Sequence, residues 1–118
     1  MSQYTFFIAG TTNLGDFLNV VPVLSGLNKQ FGKYELVIIS NMRKFNGIRE
    51  FLQYQDLFTN VAFHDEVDFT NKQVVELSCS VNETRLTPDR PTETCRYVNF
   101  VKEKYNFDVL VDDDYVLK

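Results

Sequence analysis

Short apolar runs that alternate with stretches of helical periodicity constrain the fold of this chain more than any other feature. The runs at residues 4–9, 35–40 and 59–63 are rich in β-branched and aromatic side chains, as in strands buried on both faces of a parallel sheet. Between the first two runs, apolar residues recur at the spacing of one helix face. These residues are Phe17, Val20, Val21, Leu24, Leu27 and Phe31. The alternation of the two patterns predicts an α/β domain.

Two helices are predicted in the first half of the chain. The first begins at Asp16, is expected to bend or loosen at Pro22, and ends at Gly32. A second, shorter helix follows around residues 45–52, where apolar residues again recur at helical spacing.

The last third of the chain is less regular. Residues 70–86 predict a fourth, irregular strand or a hairpin arm, and residues 91–105 predict a helix with Pro91 near its first turn. Residues 107–112 form another apolar run, which is expected to close the sheet as its last strand. With right-handed crossovers, the pattern predicts a single Rossmann-like domain over residues 1–118. It has three layers: a mostly parallel sheet in the order 3-2-1-4, with helices on both faces.

Composition excludes several classes of function. The chain has 118 residues, 44% of them hydrophobic, which fits one globular domain. Its net charge is −4 and its Lys and Arg residues are scattered, so no nucleic-acid partner is expected. No run approaches the roughly 18 apolar residues of a membrane span, and no signal peptide precedes the first strand, so a cytoplasmic protein is expected. Cys79 and Cys95 lack CxxC spacing and are interpreted as small apolar residues, and neither a metal nor a cofactor is predicted.

Two polar segments are expected to meet where the strand order reverses. Ligands of open α/β sheets bind beyond the carboxyl ends of the strands at such a point, which here lies between the first and the last strand. Residues 10–16 follow the first strand, and residues 112–115 follow the last. We therefore predict a ligand site there. Its candidate residues are Thr11, Thr12, Asn13, Gly15, Asp112 and Asp114.

Asp16 lies between the first strand and the helix that follows it, and its carboxylate has two interpretations. As an N-cap it would stabilise the helix by about 1 kcal/mol. As a general base it would take a proton from a sugar hydroxyl, and the two roles are compatible in different ligand states. Binding of a phosphate by this loop alone is disfavoured, because the loop lacks GxGxxG and GxxxxGK and Asp16 would repel an anion.

Other ionisable residues also have alternative interpretations. Asp112 and Asp114 have the oxygen ligands for a divalent cation, or they form a solvated acidic end of a strand. Arg43 and Lys44 either meet the negative charge of a ligand or lie at a solvated helix start. His64 follows the third strand and is interpreted as a surface loop residue.

The stretch NLGDFLNVVPVLSGLNKQF, at residues 13–31 after a strand, resembles the N-terminal end of the ADP-heptose:lipopolysaccharide heptosyltransferases (glycosyltransferase family 9). That family has an N/S-x-G-D turn and then a helix with T/L-P-V/A-L, which Gly15, Asp16 and Pro22 match. The later stretch YNFDVLVDDDY resembles a family strand of the form Y-D-x-V-I-D-x-Q-G. Here Asp114 replaces the usual Gln and Tyr115 the usual Gly.

The resemblance implies an acceptor-binding domain of a GT-B enzyme. In such an enzyme a second Rossmann-like domain binds the nucleotide-sugar, transfer inverts the anomeric centre without a metal, and the residue matching Asp16 is the general base. The donor-binding domain has no counterpart in these 118 residues. The expected function is therefore a glycosyltransferase-like half-domain, non-catalytic by itself, that binds a saccharide, a nucleotide-sugar or a protein partner in an accessory, regulatory or phage-type role.

Three alternatives belong with this expectation. The chain is the acceptor half of an inverting transferase completed in trans, with Asp16 as the base. Or it is an interaction module that forms a homodimer or heteromer through the exposed edge of its last strand. Or it is a small metal-dependent hydrolase built on Asp16, Asp112 and Asp114.

Overall fold

A sheet of parallel strands organises the fold in the computed structural model, which describes residues 4–9, 13–78 and 92–118. The strands in this part of the chain are β1 (Tyr4–Ile8), β2 (Tyr34–Ile38), β3 (Phe58–Phe63) and β4 (Gln73–Leu77). They lie in the order β3-β2-β1-β4, and every pair of neighbours is parallel. The predicted α/β fold class and strand order are confirmed.

Four α-helices accompany the sheet in the described residues: α1 (Leu14–Leu18), α2 (Val21–Phe31), α3 (Ile48–Tyr54) and α4 (Thr92–Tyr105). Short 3-10 turns follow β2 at Ser40–Lys44 and β3 at His64–Glu66. None of the helices in these ranges is long and apolar enough to cross a bilayer.

Pro22 divides the single helix that was predicted from Asp16 to Phe31. Pro22 has no N–H to donate to the carbonyl of Leu18, and its ring would collide with that carbonyl in a continuous helix. Accordingly α1 ends at Leu18, and Pro22 lies in the first turn of α2, where a missing N–H costs nothing. Gly32 ends α2 as predicted, with a φ of 77° that suits glycine.

One apolar cluster joins the helices to a single face of the sheet. Alternate strand residues such as Phe6, Ile8, Leu36 and Ile38 contribute to it, together with buried residues of α1, α2, α3 and α4. Helices on both faces were expected. The described helices instead pack on this one face, because the β3–β4 crossover over the second face, residues 64–72, contains a 3-10 turn and no α-helix.

The second face of the sheet is covered by side chains of the crossover. His64 stacks on Phe7 with ring centroids 4.7 Å apart, and Phe69 lies 6.0 Å from the same ring. Val37 is fully buried beneath this layer. His64 is exposed, as predicted for a residue of a surface loop.

The prediction of a closing strand at residues 107–112 is wrong. The place beside β1 is taken by β4, and residues 107–112 run instead across the outer side of α2. Their backbone is paired with the helix: the Asp112 N–H donates to the Pro22 carbonyl at 3.0 Å. Gln30 accepts from the Leu110 N–H at 2.9 Å and donates to the Asp108 carbonyl at 3.1 Å. Because this segment forms no strand, it also offers no strand edge for the predicted dimer.

The sheet edge that does exist at β4 is partly closed. The Glu76 N–H, which points away from β1, donates to the Tyr105 hydroxyl at 2.8 Å. Lys104, one residue earlier in α4, pairs with the Glu76 carboxylate at 3.2 Å. The end of α4 therefore occupies hydrogen-bonding positions that a partner strand would need.

Of the two cysteines, Cys95 is 4% exposed within α4, in agreement with its interpretation as a core residue. Cys79 lies outside the described residues.

Candidate functional site

The strand order reverses at β1, whose neighbours are β2 on one side and β4 on the other. In open α/β sheets, ligands bind beyond the carboxyl ends of the strands at such a point. The segment from Asn13 to Asp16 follows β1 at this edge. Two of the predicted ligand residues, Thr11 and Thr12, lie outside the described residues.

Asn13, rather than Asp16, caps the helix after β1. Its backbone is extended, and its Oδ1 accepts from the Gly15 N–H at 2.8 Å and from the Asp16 N–H at 3.4 Å. A Cβ on Gly15 would lie 3.3 Å from that oxygen, so the turn favours a residue without a side chain. The capping interpretation of Asp16 is therefore wrong, and the capping residue is a predicted ligand residue.

Asp16 lies in the first turn of α1 with its side chain exposed. A negative charge at this position interacts favourably with the helix dipole. Within the described residues its carboxylate accepts no hydrogen bond and makes no ion pair. The turn fixed by Asn13 thus leaves the Asp16 carboxylate exposed just beyond the carboxyl end of β1.

Asp112 does not join Asp16 through a neighbouring strand, because residues 107–112 lie on α2. Its Oδ2 accepts from the Ser25 hydroxyl at 2.6 Å and lies 3.2 Å from the Lys29 ammonium. The hydrogen bond from Ser25, followed by the interaction with Lys29, lowers the pKa of Asp112. Its carboxylate therefore holds the C-terminal segment, residues 107–118, against α2.

Asp114 is exposed in the turn that follows Asp112. In the part of the chain that the structure describes, no group of three or more His, Cys, Asp and Glu side chains could hold a metal ion. The hydrolase hypothesis needed Asp16, Asp112 and Asp114 to form such a group.

A cluster of opposite charges lies at the carboxyl ends of β2 and β3. Arg43 makes two hydrogen bonds of 2.6 Å to Asp65, and Arg49 donates to Glu66. Both guanidinium groups lie over the Phe63 ring, 4.3 Å and 4.7 Å from its centroid. A cavity of about 360 Å³ adjoins the cluster.

The charge of Arg43 is compensated within this cluster. The hydrogen bond from Arg43 lowers the pKa of Asp65, and the hydrogen bond from Arg49 lowers the pKa of Glu66, so both carboxylates stay ionised. Arg43 therefore links the segments that follow β2 and β3, and its charge is already paired without a ligand. Sequence reasoning assigned no role to Asp65 or Glu66. The available signal was that basic residues follow β2 while acidic residues follow its neighbour β3.

Comparisons of this chain with protein-family profiles, with curated proteins and with solved structures give no match. The resemblance to the heptosyltransferases therefore depends on the sequence alone, at residues 13–31 and 105–115.

Proposed function

We propose that this chain is a glycosyltransferase-like half-domain that binds a saccharide or a nucleotide-sugar at the carboxyl end of β1 and is not catalytic by itself. One observation carries the proposal: the Asn13-capped turn presents the exposed carboxylate of Asp16 at the point where the strand order reverses. An ionised carboxylate with free lone pairs accepts hydrogen bonds from sugar hydroxyls.

Catalysis by Asp16 requires more than this carboxylate. A general base must lie within hydrogen-bond reach of the acceptor hydroxyl while the activated sugar is held in line. The described residues offer an exposed carboxylate at one end of the sheet and no facing wall that would hold an activated sugar. The second candidate function is therefore the acceptor half of an inverting transferase whose donor half is a separate protein, with Asp16 as its base.

Thermal unfolding of the wild type and of Asp16→Asn, with nucleotide-sugars, nucleotides, simple saccharides and Mg²⁺, tests the proposal. A ligand at 100 times its Kd adds about 2.7 kcal/mol, which raises the Tm of a domain of this size by several degrees. We expect a shift with a saccharide or nucleotide-sugar that Asp16→Asn reduces. Asp108→Asn is the matched control, because Asp108 is an exposed aspartate of the C-terminal segment, 88% accessible at its side chain.

Two results would contradict the proposal. If every ligand leaves the Tm unchanged, or if Asp16→Asn and Asp108→Asn respond alike, no ligand contacts Asp16. If the purified chain transfers sugar by itself and Asp16→Asn abolishes the transfer, the chain is a complete enzyme.

A further inference from the structure

A second cleft lies at the opposite edge of the sheet, at the amino ends of the four strands. It encloses about 670 Å³ and contacts the first residues of β1 and β2, Thr59 of β3 and Lys72, which precedes β4. Sites for small molecules commonly enclose 300–1,000 Å³. The cleft is separate from Asp16, which follows the carboxyl end of β1.

Aromatic rings form the apolar part of this cleft. The rings of Tyr4 and Phe31 lie 5.1 Å apart and are only partly buried. Both contact the buried ring of Phe6, which packs edge-on against Tyr34. Tyr34 is fixed in place because its hydroxyl donates to the Leu24 carbonyl at 2.7 Å. The partly exposed rings of Tyr4 and Phe31 therefore pack against a fixed, buried aromatic group.

The charged groups of the cleft are compensated in pairs. Glu35 accepts from the Lys72 ammonium at 2.8 Å and from the Thr5 hydroxyl at 2.9 Å. Lys33 lies 2.6 Å from Asp56. Both lysines thus have a carboxylate partner, so the cleft attracts neither an anion nor a cation strongly.

Uncharged hydrogen-bonding groups complete the lining. Thr59 and Asn71 are exposed in the cleft, and their side chains make no hydrogen bond within the described residues. A hydroxyl and an amide provide both donors and acceptors. Asn71 has a φ of 65° in the turn before β4, which directs the chain into that strand.

We infer that this cleft binds a neutral sugar ring. A pyranose has an apolar face of C–H groups, which fits an aromatic surface, and a rim of hydroxyls, which needs uncharged donors and acceptors. Tyr4 and Phe31 supply the surface, Thr59 and Asn71 supply free polar groups, and the paired charges give no advantage to an ionic ligand. The inference does not depend on Asp16.

Titration of the ¹⁵N-labelled chain with methyl α-D-glucopyranoside, methyl α-D-mannopyranoside and methyl α-D-galactopyranoside tests the inference. At least one glycoside should shift the amide signals of Thr59, Asn71 and Lys72 in a saturable way. Thr59→Val and Asn71→Gly should each weaken that binding about two- to tenfold, as expected for one lost hydrogen bond. Glycine is chosen because it tolerates the positive φ of Asn71.

Asn106→Gly is the matched control, because Asn106 also has a positive φ, of 57°, and is absent from the cleft lining. Asp16→Asn should leave the titration unchanged, which separates this site from the proposed function. The inference is overturned if no glycoside gives saturable shifts at the cleft, or if Asn71→Gly and Asn106→Gly have equal effects. Tighter binding of glucose 6-phosphate than of the neutral glycosides would also overturn it.

Discussion

Gly26 permits a close contact between α2 and the C-terminal segment. A Cβ at this position would lie 1.4 Å from the Leu110 carbonyl oxygen and 2.5 Å from its carbon. Both atoms belong to the backbone, so a side-chain rotation cannot relieve the overlap. The helix and the segment must move apart if residue 26 carries any side chain.

Gly26→Ala should therefore destabilise the protein, although alanine is favoured over glycine by about 1 kcal/mol inside a helix. Overpacking of this kind costs about 1–3 kcal/mol. The loss would appear as a lower urea midpoint, with faster hydrogen exchange at the Asp112 amide, which donates to Pro22. Unchanged stability with a protected Asp112 amide would show that the segment does not depend on this contact.

Asp112 makes the attachment of the segment sensitive to pH. The hydrogen bond from Ser25, and then the charge of Lys29, lower its pKa in the folded protein. A lowered folded-state pKa gives stability that is complete above the unfolded value of about 3.9. That stability is lost as the pH falls through the lowered folded value.

The free energy of unfolding should consequently differ between the wild type and Asp112→Asn by about 1.5–3 kcal/mol at neutral pH, the range for a hydrogen bond to a charged group. Denaturant titrations should show this difference shrinking as the pH falls below about 4. Asp114→Asn, in the exposed neighbouring turn, should show no such difference. A gap that stays constant into strong acid would mean that the charge of Asp112 contributes nothing.

Among the elements, the C-terminal segment is unusual because side chains, rather than a neighbouring strand, form hydrogen bonds with its backbone. Gln30 bonds the Leu110 N–H and the Asp108 carbonyl at the same time, as a neighbouring strand would. Only Val109 and Asp112 of residues 107–118 are buried, so apolar contacts alone hold the segment weakly.

Gln30→Ala should release the first part of this segment while the sheet stays intact. We expect faster hydrogen exchange at Leu110 and a loss of about 1 kcal/mol in the free energy of unfolding. Gln53→Ala is the matched control, because Gln53 is an exposed glutamine of α3. Equal behaviour of the two variants would show that the Gln30 bonds contribute nothing to the attachment.

The sequence predicted where helices and strands lie better than it predicted which of them pack together. The runs of β1, β2 and β3 and the period of α4 are dictated by local pattern, and the structure contains them within a residue or two. The helical period before β2 is also present, but Pro22 divides the predicted helix into α1 and α2. Residues 107–112 have the same apolar pattern, but a pattern does not state which segment pairs with β1. The shorter and more polar β4 takes that place, and the 107–112 run packs on a helix instead.

In the candidate site too, some features follow from local sequence and others depend on contacts between distant residues. The turn at Asn13 and the position of Asp16 follow from local sequence, since both depend on residues within one helical turn. The contact of Asp112 with Ser25 joins residues 87 positions apart, and no local sequence pattern predicts it. The paired charges of Arg43 and Asp65 likewise depend on the neighbouring placement of β2 and β3.

In the whole molecule, the C-terminal segment connects helices that are distant in sequence. It leaves α4, crosses α2, and reaches Gln55 at the end of α3. Gln55 is 1% exposed, and its Oε1 accepts from the Tyr115 hydroxyl at 2.8 Å and from the Lys118 N–H at 3.0 Å. A buried amide oxygen that lost these donors would keep its desolvation cost without compensation.

Tyr115→Phe removes one of those donors while keeping the ring, which packs against the apolar core. The hydroxyl is neutral in the physiological range, because the ordinary pKa of tyrosine is about 10 and burial raises that of Tyr115 further. We expect a loss of about 1–2 kcal/mol in the free energy of unfolding. Tyr54→Phe, at a tyrosine that is 70% exposed on α3, should cost nothing measurable.

Urea unfolding followed by two probes would show how far this connection extends. Because the segment joins α4, α2 and α3, we expect Tyr115→Phe to unfold in one transition with an unchanged m-value. Tyrosine fluorescence and helical circular dichroism should then report the same lowered urea midpoint. If the two probes separate in this variant, the segment is what couples α3 to the rest of the fold. If Tyr115→Phe is as stable as Tyr54→Phe, the bond to Gln55 does not contribute to stability, and the C-terminal residues lie on the fold without supporting it.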